Sequence, residues 1–433
     1  MIGALGTAFA ADLAAEKSAK DTTPKPWSMK CHGFVNPHFY ADSRQVVGGR
    51  EEMMLFYPKP QAVDPATGVD INDGWNRNLL SITARVNLTL TGPDILGAKT
   101  KAFMEGDFTG STNATNNNLR LRHAYIDMDW GHSAVLAGQY WYPMVVQEIM
   151  PNTRPLNMGA PFHPYARYNQ LRLTERIGSR FEAVLVALFQ QDNMSQGMLD
   201  NASESSSQFV RQANMPEMHL QLRYKGDKLF AGAAANMLTI QPRVYTSLPA
   251  AGLNADYGQT FTNFSYTAFL KYKMNGWALS AQTLLNNSLY EGCSMGGYIE
   301  HQDLSSPLAP AYSYSSWHFN TVWLDLGQTT GKWRTGIFVG AAKNMDFGKE
   351  MSDIASGSID NAFGRGFNME YLWRVQPRIG YHANERFNIY AEAEYTRAQY
   401  GKLKSLANSH LYEHDDDGGV GNLRLMLSAE YHF

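Results

Sequence analysis

Apolar and polar residues alternate with a period of two along most of this chain. Ser81–Leu90 reads SITARVNLTL, Asn388–Thr396 reads NIYAEAEYT, and the last thirteen residues read GNLRLMLSAEYHF. A β-strand turns successive side chains to opposite faces, so each stretch predicts a strand with one apolar and one polar face. A wall built from such strands is typical of an outer-membrane barrel, in which apolar residues face lipid and polar residues face a lumen.

The same alternation, interrupted by Gly, Asn and Asp, predicts sixteen strands. They are 31–47, 80–91, 97–108, 118–130, 133–143, 169–177, 179–191, 216–226, 228–241, 262–274, 277–287, 315–328, 331–344, 366–382, 386–400 and 421–433. Seven short turns and eight long connections alternate between them, with tight-turn residues in most of the short ones. We therefore predict an all-β fold, a sixteen-stranded antiparallel transmembrane β-barrel with short periplasmic turns and long extracellular loops.

Composition agrees with a membrane barrel and argues against other classes. The formal net charge is −3, which gives no reason to expect nucleic acid as a partner. Ala183–Phe189 is an uninterrupted apolar run of seven residues, whereas a membrane-spanning helix needs about 20. The 23 Tyr, 9 Trp and 21 Phe residues supply the aromatic girdles of a barrel.

The two ends of the chain suggest export. Residues 1–10 resemble the remnant of a signal peptide, with Ala8, Phe9 and Ala10 as an A-x-A cleavage site. We expect 11–30 to be a periplasmic N-terminal lead-in and 31–433 to be the transmembrane barrel, closed by a last strand that ends on Phe433. The expected location is the outer membrane of a Gram-negative cell, with membrane lipid around the wall.

Several short motifs stand out in the first half of the chain. They are FVNPHFY at Phe34–Tyr40, TGPD at Thr91–Asp94, EGDF at Glu105–Phe108, LRLRHAY at Leu119–Tyr125, GQYWYP at Gly138–Pro143, GAPF at Gly159–Phe162 and QLRLT at Gln170–Thr174. In this order they resemble the DcaP-like family of trimeric outer-membrane porins. The resemblance implies a sixteen-strand barrel, a homotrimer, and uptake of small hydrophilic solutes that are often anionic.

Arginines recur at the polar positions of the predicted strands. The predicted pore-lining arginines are Arg85, Arg120, Arg122, Arg172, Arg176, Arg374, Arg378 and Arg424, and Glu105, Glu392 and Glu394 are acids predicted to face the same lumen. A guanidinium keeps its charge and presents a planar donor fork that suits carboxylate or phosphate groups. Rings of such residues favour anions in a pore. The alternative is that arginines and acids pair across neighbouring strands and only brace the wall.

The third long connection, 143–168, is the candidate constriction loop. It contains Glu148, Arg154, His163 and Arg167, together with Pro151, Pro155, Pro161 and Pro164, which stiffen it. We expect it to fold into the lumen and narrow the channel. The alternative is an external loop at a contact between subunits.

Other chemistry has weaker signals. Glu413, Asp415, Asp416 and Asp417 form a carboxylate cluster that could bind Ca²⁺, although a run of charge is more often solvated; we otherwise expect no cofactor and no metal. The sequence contains none of the GxSxG or HExxH motifs, so we do not expect an enzyme. An outer-membrane hydrolase and a structural or adhesive barrel with a plugged lumen remain alternatives to a porin.

Overall fold

The structure, a computed structural model, describes most of the chain. It describes residues 27–110, 112–154, 157–200, 202–248, 253–256, 258–287, 290–303, 311–345, 359–403, 412–414 and 419–433. The predicted signal remnant and most of the predicted lead-in lie outside these residues.

Strands dominate this part of the chain. They are β1 Ser28–Val35, β2 His38–Arg44, β3 Val46–Gly49, β4 Met54–Pro58, β5 Asp73–Leu80, β6 Arg85–Thr91, β7 Lys99–Asp107, β8 Arg120–Asp129, β9 Ser133–Trp141, β10 Arg167–Ile177, β11 Phe181–Phe189, β12 Gln196–Leu199, β13 Ala202–Ser205, β14 Glu217–Lys225, β15 Leu229–Ile240, β16 Tyr245–Leu248, β17 Leu253–Asp256, β18 Phe261–Met274, β19 Trp277–Asn287, β20 Gly296–Asp303, β21 Ala311–Trp317, β22 Phe319–Gln328, β23 Trp333–Asn344, β24 Ile359–Arg365, β25 Met369–His382, β26 Phe387–Leu403, β27 Tyr412–His414 and β28 Val420–His432.

The described helices are short. Helix α1 spans Gln208–Gln212, and single 3₁₀ turns span Asn113–Thr115, Gln147–Ile149 and Tyr290–Gly292. Among the described residues, no helix has the length and apolar character needed to cross a membrane.

Sixteen antiparallel strands close into a barrel, as predicted. The first barrel strand consists of β1 and β2 in line, and the second consists of β5 and β6 in line. The other fourteen are β7, β8, β9, β10, β11, β14, β15, β18, β19, β22, β23, β25, β26 and β28. Closure places β28 beside both β1 and β2, with Phe34 opposite His432 and His38 opposite Ser428.

Some strand ends differ from the prediction. The first strand begins at Ser28, three residues before the predicted start, and is interrupted at Asn36 and Pro37, where proline has no N–H to donate. The second begins at Asp73 and is interrupted between Leu80 and Arg85. The predicted strand 315–328 is two elements, because β21 belongs to a separate sheet with β20 and β24.

The wall has two chemically different faces. In β28, Leu425 and Leu427 are exposed on the outside, whereas Arg424 and Glu430 are buried on the inside. The same pattern recurs along β18 and β22, so a band of apolar side chains surrounds the barrel. An exposed apolar band with internally paired backbone is the arrangement that a lipid bilayer permits.

The connections above the wall carry their own β-structure. Two-stranded pairs form between β3 and β4, β12 and β13, and β16 and β17, and β20, β21 and β24 form a three-stranded sheet. In the described residues, three connections therefore fold back on themselves, and β24 joins the seventh connection to the sixth.

The seam between the two ends of the chain yields a prediction about assembly. Phe433 donates its N–H to Gly33 O and accepts from Gly33 N, both at 3.1 Å. Deleting Phe433 removes both bonds and should lower the yield of folded, SDS-resistant barrel. Phe189→Ala removes a phenyl ring of similar exposure elsewhere on the wall and should assemble normally. Equal yields of the two variants on unheated gels would contradict this role for the seam.

Candidate functional site inside the barrel

The third long connection lies inside the barrel. Met144 O accepts a hydrogen bond from Gln282 Nε2 at 3.0 Å, and Phe162 O accepts one from Thr321 Oγ1 at 3.3 Å. Ala160 O accepts from Arg374 Nη1 at 2.7 Å. These donors are on β19, β22 and β25, on the far side of the barrel from β9 and β10, which the segment connects. The described part of the connection therefore crosses the interior.

Carboxylates of the wall hold the tip of this loop. Asn152 N donates to Asp325 Oδ2 at 3.1 Å, and Arg154 N donates to Glu392 Oε1 at 2.9 Å. The Arg154 guanidinium donates to Glu430 Oε1 at 2.6 Å and lies over the ring of Tyr390 at 3.6 Å. Arg154, of the predicted constriction loop, and Glu392, a predicted pore-lining acid, therefore fasten the loop to the wall.

The first long connection also enters the barrel, which the sequence analysis missed. Leu55 O accepts from Arg374 Nη2 at 2.9 Å, and Met53 O accepts from Arg424 Nη1 at 3.1 Å. Tyr400 Oη donates to Pro58 O at 2.6 Å. A signal was available, since the apolar run Met53–Phe56 would be poorly placed in a solvated loop.

The arginines on β25 and β28 are matched by acids. The shortest nitrogen–oxygen distances are 3.0 Å from Arg374 to Glu394, 2.6 Å from Arg378 to Asp325 and 2.6 Å from Arg424 to Asp42. Arg374, Glu394, Arg424 and Asp42 have inward parity but completely covered side chains. These residues brace the wall and the inserted loops.

A second group of arginines lies around Tyr165 and carries more positive than negative charge. We call Arg50, Arg85, Arg120, Arg122 and Arg167 the arginine cluster. Arg122 binds Glu105 at 2.7 Å and Asp107 at 2.5 Å, and Arg85 lies 3.5 Å from Glu105. Arg120 lies 3.2 Å from Asp107 and 3.3 Å from Asp192. Arg50 Nη1 donates to Thr109 O at 3.4 Å, beside Asp107. Five guanidinium groups thus face three carboxylates.

Some donors in this cluster have no acceptor within the described part of the chain. Arg167 donates to Tyr165 Oη at 2.9 Å and stacks on Trp141 at 4.1 Å, but its buried Nε has no partner there. Nη2 of Arg122 is buried and unsatisfied in the same way. Unpaired charged donors in a buried site favour an anion or ordered water between them.

Further basic residues lie on the inner face of β10 and β14. Arg172 donates to Gln170 Oε1 at 3.0 Å and lies over the ring of Tyr140 at 5.0 Å. Arg223, which the sequence analysis did not select, lies 3.3 Å from the loop residue Glu148. Arg176 pairs with Asp129 at 2.8 Å near a periplasmic turn.

His163 adds no charge to the inserted loop. Its ring is fully covered and packs against Trp323, with the ring centroids 5.3 Å apart. Burial lowers the pKa of His163 to about 3, so the imidazole is neutral at ordinary pH.

Apolar packing fills part of the interior. Val184, Val186 and Leu188 point inward from β11 and belong to the same apolar cluster as Met144 of the inserted loop. A second apolar cluster contains Phe162, Trp323 and Phe338. Continuous hydrophobicity along Ala183–Phe189 was the sequence signal for a strand buried on its inner face.

The predicted calcium cluster cannot be assembled from the described residues. Glu413 lies in β27, whereas Asp415, Asp416 and Asp417 fall outside the residues that the structure describes. Among described positions, no group of three or more His, Cys, Asp or Glu residues is arranged to hold a metal ion.

Comparison with known proteins places the fold among outer-membrane channels. No family model matches the chain, and no curated protein matches it. The outer membrane channel DcaP of Acinetobacter baumannii is similar in structure, with a TM-score of 0.63, 15% identity, and coverage of 94% of this chain and 97% of that one. The anion-selective porin of Comamonas acidovorans has a TM-score of 0.53 and 11% identity over 94% of this chain and 100% of that one. The trimer form of OmpT of Vibrio cholerae has a TM-score of 0.52 and 9% identity over 94% and 100%. At these identities the likeness establishes the fold.

The buried ion pairs predict unequal effects of removing neighbouring arginines. Arg122→Ala leaves Glu105 and Asp107 without their closest cation, and breaking a buried pair in this way costs about 3–5 kcal/mol. Arg172→Ala removes a guanidinium that has no carboxylate partner among the described residues and should cost much less. We expect Arg122→Ala alone to lower the urea midpoint of unfolding in detergent markedly. Similar midpoints for both variants would show that the pairs around Arg122 do not stabilise the barrel.

Proposed function

We propose that this protein is an outer-membrane porin of a Gram-negative bacterium, that it passes small hydrophilic solutes, and that it favours anions such as carboxylates. The observation that carries the proposal is the arginine cluster beside the inserted loop, with its excess of guanidinium groups and its unsatisfied donors. Fixed positive charge at a narrow, poorly solvated point attracts anions more effectively than charge on an open surface.

The distribution of charge narrows the set of residues to which we assign selectivity. Arg374, Arg378 and Arg424 are neutralised by acids within 3.0 Å, so their fields largely cancel. Arg167 and Arg172 make no ion pair within the described residues. We therefore assign most of the anion preference to the arginine cluster and to Arg172, with Arg223 contributing through its position beside Glu148.

The assembly that we propose is a homotrimer surrounded by outer-membrane lipid. The support is the exposed apolar band of the wall and the similarity of the fold to the trimer form of OmpT, an outer membrane protein of Vibrio cholerae. The net charge of −3 does not oppose anion preference, since charges on external loops are screened within about 8–10 Å.

A barrel with a closed lumen is the second candidate, and a specific observation favours it. Two inserted loops and the two apolar clusters occupy part of the interior. A structural barrel would show no ion conductance in a planar bilayer, whereas a porin would show stable open channels. Conductance of purified protein therefore decides between these functions.

Selectivity can be tested by the reversal potential in a KCl gradient. The double variant Arg167→Gln, Arg172→Gln removes two positive charges that pair with no acid in the described part of the chain. It should lower the anion/cation permeability ratio by roughly twofold or more. The matched control Arg180→Gln, Arg211→Gln removes the same charge from a turn and an external helix, and should leave the ratio near the native value. An unchanged ratio in the first variant, or a native pore that prefers cations, would overturn the anion proposal.

A further inference from the structure

Glu291 is a buried carboxyl group at a point where four external connections meet. It lies in the 3₁₀ turn Tyr290–Gly292 and accepts a hydrogen bond from Ser195 Oγ of the fourth connection at 2.7 Å. In the same turn, Gly292 O accepts from Tyr165 N of the inserted loop at 2.6 Å. Tyr290 O accepts from Arg365 Nη1 of the seventh connection at 3.0 Å. The turn thus ties the inserted loop to the loops above it.

The surroundings of Glu291 favour its neutral form. Its Oε2 is buried and has no hydrogen-bond partner within the described ranges. Glu217, another fully buried carboxyl group, faces the same region and bonds Tyr142 Oη at 2.8 Å, and Asp192 also lies nearby. The phenol groups of Tyr168 and Tyr290 complete the polar lining. A negative charge on Glu291 would therefore be poorly solvated and close to other acids.

Nearby cations are already engaged. Arg365 donates to Tyr290 O and to Ser294 O at 3.0 and 2.9 Å, and its guanidinium lies over the ring of Phe56. Arg50 and Arg167 lie near Cys293 and belong to the arginine cluster. The positive charges of these groups partly stabilise an ionised Glu291. None of them forms an ion pair with its carboxyl group within the described residues.

We infer that Glu291 is a proton-controlled latch: its neutral form holds the fourth, sixth and seventh connections against the inserted loop, and its ionisation loosens them. The consequence for transport rests on the proposed pore, because loosening these loops would change the passage beside the arginine cluster. The packing itself can be tested without any assumption about transport.

The direction of the effect follows from proton linkage. Burial raises the pKa of Glu291 to about 7, whereas a solvated glutamate titrates near about 4.3. Between these values the packed form keeps a proton that the loosened form releases, so packing weakens as pH rises through this window. Above about pH 7 both forms are ionised and the loss is complete.

Cys293 supplies a native probe for the latch. Its half-buried thiol lies two residues from Glu291, and Cys31 can be removed as Cys31→Ser. In that background, labelling by 4,4′-dithiodipyridine would be compared at pH 5 and pH 8, with and without Glu291→Gln. Dividing the labelling rate of the parent by that of the Glu291→Gln variant at each pH cancels the intrinsic reactivity of the thiol. We expect this ratio to rise by roughly tenfold or more between the two pH values.

A matched control separates the latch from general charge effects. Glu204→Gln changes an exposed carboxyl group in the β12–β13 hairpin and should leave the pH dependence of labelling as in the parent. A ratio that stays constant from pH 5 to pH 8, or a Glu204→Gln protein that behaves like the Glu291→Gln protein, would overturn the latch. Conductance of the same proteins then shows whether the loosened loops affect passage, so failure of the latch and failure of the pore are distinguishable.

Discussion

Complete pairing of the backbone at the seam is the constraint on which the rest of the structure depends. A wall that faces lipid has no water to satisfy its N–H and C=O groups, so the last strand must meet the first. Here β28 pairs with β1 and β2 on either side of the break at Pro37, and the pair formed by Asp42 and Arg424 bridges the seam from within. Once the wall is closed, its alternate residues must face a shared interior.

The interior explains why charged residues on this wall have two different roles. A loop that enters a barrel brings backbone groups that no strand pairs, and these groups need partners. Arg374 and Arg424 donate to carbonyl groups of the first connection, and Asp325 and Glu392 accept from N–H groups of the third. Near β6–β10 the third connection instead passes beside the arginine cluster, in which five guanidinium groups face three carboxylates. The number of acids within reach decides whether an arginine is fully paired, as Arg374 is, or keeps an unsatisfied donor, as Arg167 does.

The wall could be predicted from the sequence because its signals are local. Period-two alternation and turn residues are properties of neighbouring positions, and they yielded sixteen barrel strands. The errors lie where contacts between residues distant in sequence set the ends of a strand, as at the boundary between β21 and β22. The alternation along each strand also placed Arg122 and Arg424 on the inner face. It could not predict that loops cover these side chains, because an irregular loop leaves no periodic pattern in the sequence. Arg223 shared its parity with Gln221 and could have been found; Arg50 lies in a loop and had no such signal.

In the pore that we propose, filling the barrel with loops makes charge preference and openness separable properties. We assign the preference to wall arginines such as Arg167 and Arg172, whose positions on a strand do not depend on how the loops pack. In the same proposal, openness rests on contacts among loops, such as those that join Ser195 to Glu291 and Tyr165 to Gly292. A barrel that used one set of residues for both would change its selectivity whenever it opened. Distributing the two tasks between the wall and the loops avoids that coupling.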